Sequence, residues 1–225
     1  WLPTVGYVRA RELLSPSDRR KHGLAERPVI PSLYDAEARR RRDPGIVLDV
    51  VIGTDEGQIA VAPGVLLREW AERGRRYFQY STREPIGTEW AFASADYAVR
   101  EERWKDVVIR FVHHPAHTGH VERMLRSIRA SLDYYTEQFG PYRYPNITVV
   151  EVPGDGLGVH AHAGMLTHGE VVTFLAPDDD PERGSASLDF PFAIMAHEMG
   201  HQWSMPLAIV EGIPVMAEGI AWYYA

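Results

Sequence analysis

The stretch AIMAHEMGHQW, residues 193–203, decides how the rest of the chain is read. It holds His197, Glu198 and His201 in the pattern H-E-x-x-H. On a helix, residues i and i+4 lie one above the other on one face, so both imidazoles can reach a single ion at about 2.0–2.1 Å. Glu198 lies about 100° further round the helix, beside such an ion rather than on it, where a carboxylate can take a proton from water. Ten histidines in 225 residues produce this pattern by chance on the order of a few times in a hundred chains. The motif therefore has to be weighed with what surrounds it.

A catalytic zinc needs one more protein ligand and one open position. Two acidic candidates follow, each inside an identical EGI tripeptide: Glu211 and Glu218. Glu211 precedes Pro214 and falls in the connection between two helices. Glu218 falls about a turn into the second helix, MAEGIAWYY, and a ligand on a rigid helix is held better than one on a loop. Glu218 is the expected third ligand, and Glu211 stays as the alternative.

Composition sets the outer bounds. With 45% apolar residues the chain can bury one large core or two modest ones, and its net charge of −7 lacks the concentrated basic face that phosphate binding needs. Nucleic acid is not an expected partner. The absence of cysteine excludes disulfides and thiolate metal sites. No apolar run approaches the roughly twenty residues of a membrane helix. The chain opens on Trp1 and closes on GIAWYYA, which reads as a helix cut in mid-course, so a piece of a longer protein is expected.

Residues 1 to about 45 are rich in Pro, Arg and Ser, with short helical segments after Ser15-Pro16 and around Asp35 to Arg42. From 46 to about 112 the pattern is of strands: IVLDVVIG, QIAVAP, LLREWAERGRRYFQYSTR with a turn at Arg73-Gly74, EWAFASADYAV and DVVIRFVHH. From His117 to Phe139 it turns helical, with Val121, Leu125, Ile128, Leu132 and Tyr135 recurring at three- and four-residue steps until Gly140-Pro141. NITVVEV, GMLTH and EVVTFLA then read as three further strands. Asp189 is the expected N-cap of the motif helix, with Pro191 in its first turn. The fold class is α+β.

Several motifs in one order resemble the gluzincin aminopeptidases, the aminopeptidase N and leukotriene hydrolase group. AHEMGHQW followed by AEGIAWYY is similar to that family's zinc motif and ligand helix, and LDYYTEQFGPYRYPNITVVEVP followed by GMLTHGE is similar to the segments before them. The resemblance covers residues 117 to 225. It implies a β-rich, sandwich-like N-terminal domain over 1–115 with an irregular leading segment, and over 116–225 a thermolysin-like catalytic domain truncated at its C-terminus. It further implies one Zn2+ held by His197, His201 and Glu218, with Glu198 as the base that activates water against a peptide carbonyl. More narrowly, GYVRARELLSPSDRRKHGL and HVERMLRSIRASLDYYTEQFGPY resemble the extracytoplasmic peptidase-like part of bacterial ABC-type permeases. That implies a membrane-associated parent protein whose transporter subunits or domains are partners beside the peptide substrate.

Three departures qualify what is carried over. Sixteen residues separate His201 from Glu218, a shorter interval than the family's. The chain stops before the family's oxyanion-stabilising tyrosine, and Tyr223 and Tyr224 are too close to Glu218 on one helix to replace it. Aligned on the family's Gly-Ala-Met-Glu-Asn strand, GVHAHAGMLTHGE puts Ala161 where a Glu grips the substrate's N-terminus. Gly158, His160, Ala161, His162 and Gly164 are thus the candidate substrate-binding positions. In an extended strand His160 and His162 point to one side, where they line a cleft or stand as surface histidines. His168 has no assigned role, and His113, His114, His117 and His120 read as a polar strand-to-helix junction. Zinc-dependent peptide hydrolysis is the expected function; the alternative is a zinc-stabilised domain of a transport system that binds peptide or partner without cleaving it.

Overall fold

The helix expected from 117 begins at Val121 and runs to Phe139, and it carries much of the core. We describe a computed structural model covering residues 15–26, 31–32, 34–40, 45–87, 90–154, 158–177, 189–204 and 213–225. In chain order these form α1 (Pro16–Lys21), α2 (Ala36–Arg40), β1 (Asp49–Asp55), β2 (Ile59–Val61), β3 (Val65–Glu72), β4 (Arg75–Ser81), β5 (Ala93–Ala95), β6 (Ala98–Trp104), β7 (Val107–His113), α3 (Val121–Phe139), β8 (Asn146–Val152), β9 (Val159–His162), β10 (Met165–Gly169), a π-helical turn (Glu170–Phe174), α4 (Phe190–Ser204) and α5 (Ile213–Tyr224). The chain is a mixed α/β protein.

It divides into two compact units, Trp1–Asp43 with Leu207–Ile213, and Pro44–Pro206 with Pro214–Ala225. In the first, α1 is capped by the Ser15 hydroxyl, and buried Arg19 donates from Nε and Nη2 to the Ala25 carbonyl at 2.9 and 2.7 Å.

Among the described residues of the second unit the strands assemble into three sheets: β1-β4-β3, β2-β5, and a mixed five-stranded sheet β6-β7-β8-β10-β9. The hairpin β3–β4 turns at Arg73-Gly74, both at positive φ of 54° and 71°, which matches a two-residue turn to the twist of its strands. β7, α3 and β8 form a parallel crossover, β10 pairs parallel to β8, and β9 closes the edge antiparallel to β10.

Alternation along these strands sorts their side chains. Ile109, Phe111, Ile147, Val149, Ala161 and Leu166 face one way and pack with Leu125, Ile128 and Leu132 of α3 and Met195 and Met199 of α4. Val112, Val150 and Met165 face the other way, onto Val61 and Ala93 of the β2–β5 ribbon. Leu125, Ile128 and Leu132 are wholly buried, and truncating any one to alanine would cost about 2–5 kcal/mol.

Two segments differ from their sequence expectation. EWAFASADYAV is not one strand: Tyr97 turns back on the Ala95 carbonyl, and the chain resumes as β6, which runs on through the charged Arg100 to Trp104. EVVTFLA is not a strand either. Pairing stops at Gly169, the Leu175 amide bonds the Glu170 carbonyl, and the Thr173 hydroxyl caps the Gly169 carbonyl at 3.2 Å, giving the π-helical turn. An apolar run of that length carries no periodicity that separates strand from buried helix.

Candidate metal centre and peptide edge

Asp189 starts α4 as expected: its Oδ1 accepts from the Phe192 amide at 3.1 Å and its carbonyl from the Ala193 amide at 2.8 Å. The helix is apolar nearly all round, and twelve of its residues are buried, His197, Glu198 and His201 among them. Such a helix has no solvent face. Its end is fixed by Trp203, whose indole N–H donates to the Gly140 carbonyl at 2.9 Å where α3 stops.

The four candidate residues converge. His197 Nε2 and His201 Nε2 stand 3.1 Å apart, and Glu218 brings Oε2 to 3.3 Å from the first and Oε1 to 3.5 Å from the second. Glu198 Oε1 is 3.8 Å from His197 Nε2. Ligand atoms of His197, Glu198 and His201 all lie within 4.8 Å of one another, a group able to hold a metal ion. Of the two carboxylates, Glu218 approaches both imidazoles, which favours it as the third donor. The alternative, Glu211, lies outside the described residues.

The close approach of α5 depends on a residue inside the motif. A Cβ built on Gly200 would meet Ala221 Cα at 3.1 Å, Ala221 Cβ at 3.3 Å and the Tyr135 hydroxyl at 3.3 Å. Glycine lets α5 lie against α4, one turn from Glu218. Trp222 then covers His197, ring centroids 4.3 Å apart, and Tyr224 anchors the helix end on Phe139 at 5.0 Å. Tyr223 is exposed, and the Tyr224 ring packs on Tyr134 and Phe139.

Electrostatics follow from burial. Desolvation pushes the His197 imidazole down to about 4, with His201 adding and Glu218 opposing; His201 is lowered by the same burial against the pull of Glu218. Both rings are neutral at neutral pH, so their contacts with Glu218 are not ion pairs, and their lone pairs are available to a metal. Burial, and then the charge of Glu218, raise the Glu198 carboxyl to about 7. A bound cation would act against that rise.

The donor set fits zinc. Tetrahedral ligands at 2.0–2.1 Å stand about 3.3 Å from one another, and the three contacts of 3.1, 3.3 and 3.5 Å bracket that edge. His197 Nδ1 is buried and hydrogen-bonds none of the described residues, while His201 Nδ1 lies 3.4 Å from the Ser204 hydroxyl.

The candidate substrate positions lie along the sheet edge. Gly158 accepts from the Gly169 amide at 2.7 Å just before β9. Ala161 is buried on the sheet face that packs on α4. His160 and His162 share the opposite face; His160 is exposed and His162 Nε2 lies 3.4 Å from the Thr167 hydroxyl. Gly164, at φ 65°, makes the turn into β10, where a Cβ would meet the Asn146 carbonyl oxygen at 3.1 Å. His168 is wholly buried, and burial, then nearby His160, push its ring down to about 3.

Gln202 was not singled out by the motif arithmetic, yet it joins the two parts. Its Nε2 donates to the His162 carbonyl at 2.9 Å and its Oε1 accepts from the Gly164 amide at 3.0 Å, so one side chain ties the β9–β10 turn to the motif helix. The signal was present in the continuation of H-E-x-x-H by Gln-Trp, which neither metal spacing nor general-base geometry explains.

No family model matches the chain. Over 76 residues, 33% of this chain and 8% of the relative, it is 30% identical to glutamyl aminopeptidase of Bos taurus. Over 85 residues, 37% of this chain and 23% of the relative, it is 32% identical to aminopeptidase N of Acetobacter pasteurianus. Over 83 residues, 36% and 9%, it is 34% identical to aminopeptidase M1-C of Oryza sativa subsp. japonica. The aligned stretches span less than a quarter of the length of each of these relatives. The likeness is thus to aminopeptidases, over about a third of this chain.

Proposed function

We propose that the chain carries the metal centre of a zinc-dependent peptidase, with His197, His201 and Glu218 holding one Zn2+ and Glu198 serving as general base. The observation that carries this is the triangle of two neutral imidazoles and one carboxylate with edges of 3.1–3.5 Å, beside which a second, buried carboxylate is held. Bound there, zinc supplies a Lewis acid for the peptide carbonyl and makes water easier to deprotonate.

The chain's own residues do the remainder. Glu198, buried beside the two imidazoles with Oε1 3.8 Å from His197 Nε2, is placed to take the water proton and return it to the leaving amine. β9 is the outer strand of the sheet, so an extended peptide can add along its edge through main-chain hydrogen bonds, with α4 beneath it. Gln202 holds the turn that ends this edge. With Ala161 at the position aligned to the family's N-terminus-binding Glu, no carboxylate there pairs with an ammonium, and the proposed reaction is peptide hydrolysis without that recognition.

A second reading, a zinc-stabilised domain that binds peptide or partner without cleaving it, draws support from the same alanine. An extracytoplasmic place beside transporter components belongs to the proposal and rests on the sequence resemblance. No helix among the described residues is long and apolar enough to cross a membrane.

The test is turnover of a peptide library by the zinc-loaded protein, with Glu198→Gln alongside. The expected result is cleavage by the unaltered protein and normal zinc content in Glu198→Gln with a rate lower by about 10²–10⁴. Zinc-loaded protein that cleaves nothing would select the binding reading; unchanged turnover in Glu198→Gln would remove Glu198 from the mechanism.

A further inference from the structure

The run HHPAHTGH, His113–His120, which reads as a polar junction, is closed by the fold against two carboxylates from distant parts of the chain. β7, β8 and β10 are parallel, so their carboxyl ends, at His113, Val152 and Gly169, emerge along one margin of the sheet. Parallel sheets collect ligand-binding groups at that margin, because the loops that leave it converge there. Here His117 Nδ1 donates to Glu151 Oε1 at 2.5 Å, and Glu170, first residue of the π-helical turn, brings a third donor, so that one ligand atom from each of the three lies within 4.8 Å of the others.

The group is built rather than incidental. Glu151 is buried, and its second oxygen accepts from the His114 amide at 2.7 Å. The His114 ring packs on His117 at 4.4 Å between centroids. His117 and Glu170 are half-buried, and the Glu170 carboxylate is further oriented by the Gly154 amide at 3.4 Å. Two carboxylates drawn around one imidazole are costly unless positive charge stands among them.

A neighbouring buried imidazole on β10 lies outside this triad. His168 lies opposite Glu151 in the parallel register, so the two share one face of the sheet. His168 is wholly buried, and neither of its ring nitrogens hydrogen-bonds any described residue. Buried polar atoms without a partner are uncommon and ask for a ligand or a water.

We propose that His117, Glu151 and Glu170 form a second site for a divalent transition-metal cation, sharing no residue with the His197–His201–Glu218 centre. One imidazole and two carboxylates suit zinc or manganese better than calcium or magnesium, which favour all-oxygen sets. Three protein donors leave a coordination position open to water or a small anion. Binding lengthens the 2.5 Å His117–Glu151 contact toward the about 3.3 Å edge of a tetrahedral site, a movement available to His117 in the turn-rich link before α3. The cation would pin that link to the ends of β8 and β10.

The experiment counts metal per chain after chelation and equilibrium dialysis against limiting Zn2+ and, separately, Mn2+. The expected result is two equivalents of Zn2+ on the unaltered chain, one remaining in the double variant His197→Ala/His201→Ala, and none when Glu170→Gln or His117→Ala is added. Glu170→Gln alone, at a half-buried position that preserves the fold, lowers the count from two to one. This arm decides the matter if the double variant does not fold. A single equivalent on the unaltered chain that survives Glu170→Gln and His117→Ala overturns the proposal and leaves the first centre standing. An equivalent that depends on Glu170 but not on His197 or His201 has the opposite meaning: it supports this site and removes the metal from the proposed peptidase centre.

Discussion

Gly200 and Ala221 touch backbone to backbone: a Cβ on the glycine would stand 3.1 Å from the Cα of the alanine. This contact sets how near Glu218 comes to His197 and His201. Gly200→Val should push α5 off α4, cost about 1–3 kcal/mol through overpacking, and weaken zinc binding more than Glu198→Gln does. Thermal unfolding with and without zinc reads both effects; a variant that binds zinc normally would separate α5 placement from metal affinity.

Glu218 and Glu211 occupy identical tripeptides, and the proposed centre takes its third donor from Glu218. Glu218→Gln should lose the first-centre zinc, whereas Glu211→Gln should keep it. For the unaltered chain at a hundredfold excess over the dissociation constant, that zinc should add about 2.7 kcal/mol to stability, and His201→Ala should lack this increment. Elemental analysis of the two glutamine variants is the check, and a reversal of their behaviour would exchange the assignments.

Gln202 satisfies a buried carbonyl and a buried amide at once. Gln202→Leu should cost about 1–3 kcal/mol for the groups left unpaired and, on the proposed function, raise KM more than it lowers kcat, since the displaced β9 edge is where peptide is proposed to add. Gln202→Glu should recover the contact to the Gly164 amide and lose the one to the His162 carbonyl. Amide exchange at Gly164 follows the difference; equal exchange in both variants would argue against the clamp.

Tyr135 makes stability sensitive to alkali. Its hydroxyl donates to the Ala196 carbonyl at 3.1 Å, and burial, with Tyr134 adding, pushes its ionisation up to about 12 from 10.0. Below pH 10 both folded and unfolded chains hold the proton and the contribution is constant. Between about 10 and 12 the unfolded phenol has lost a proton the folded one keeps, so stability falls by up to about 1.4 kcal/mol per pH unit. Tyr135→Phe should flatten part of that slope while costing about 0.5–1.5 kcal/mol at neutral pH. Urea unfolding across the alkaline range would show it, and an unchanged slope would assign the effect to other buried tyrosines.

Residue type and spacing were enough to read the helical face of α3, the cap and the two imidazoles of α4, and the hairpin at Arg73-Gly74, because each depends on neighbours within a turn or two. The same local rules misread EVVTFLA, where an apolar run has no period of its own and the Gly169 end of β10 decides the conformation. They also left His117 as a junction residue, since its partners Glu151 and Glu170 are 34 and 53 positions away and reach it only through the parallel register of β8 and β10. The sequence by itself determined which side chains could bind a metal along one helix, through the 3.6-residue repeat. Only the tertiary structure brings Glu218 to both imidazoles, because that depends on Gly200 letting a second helix approach.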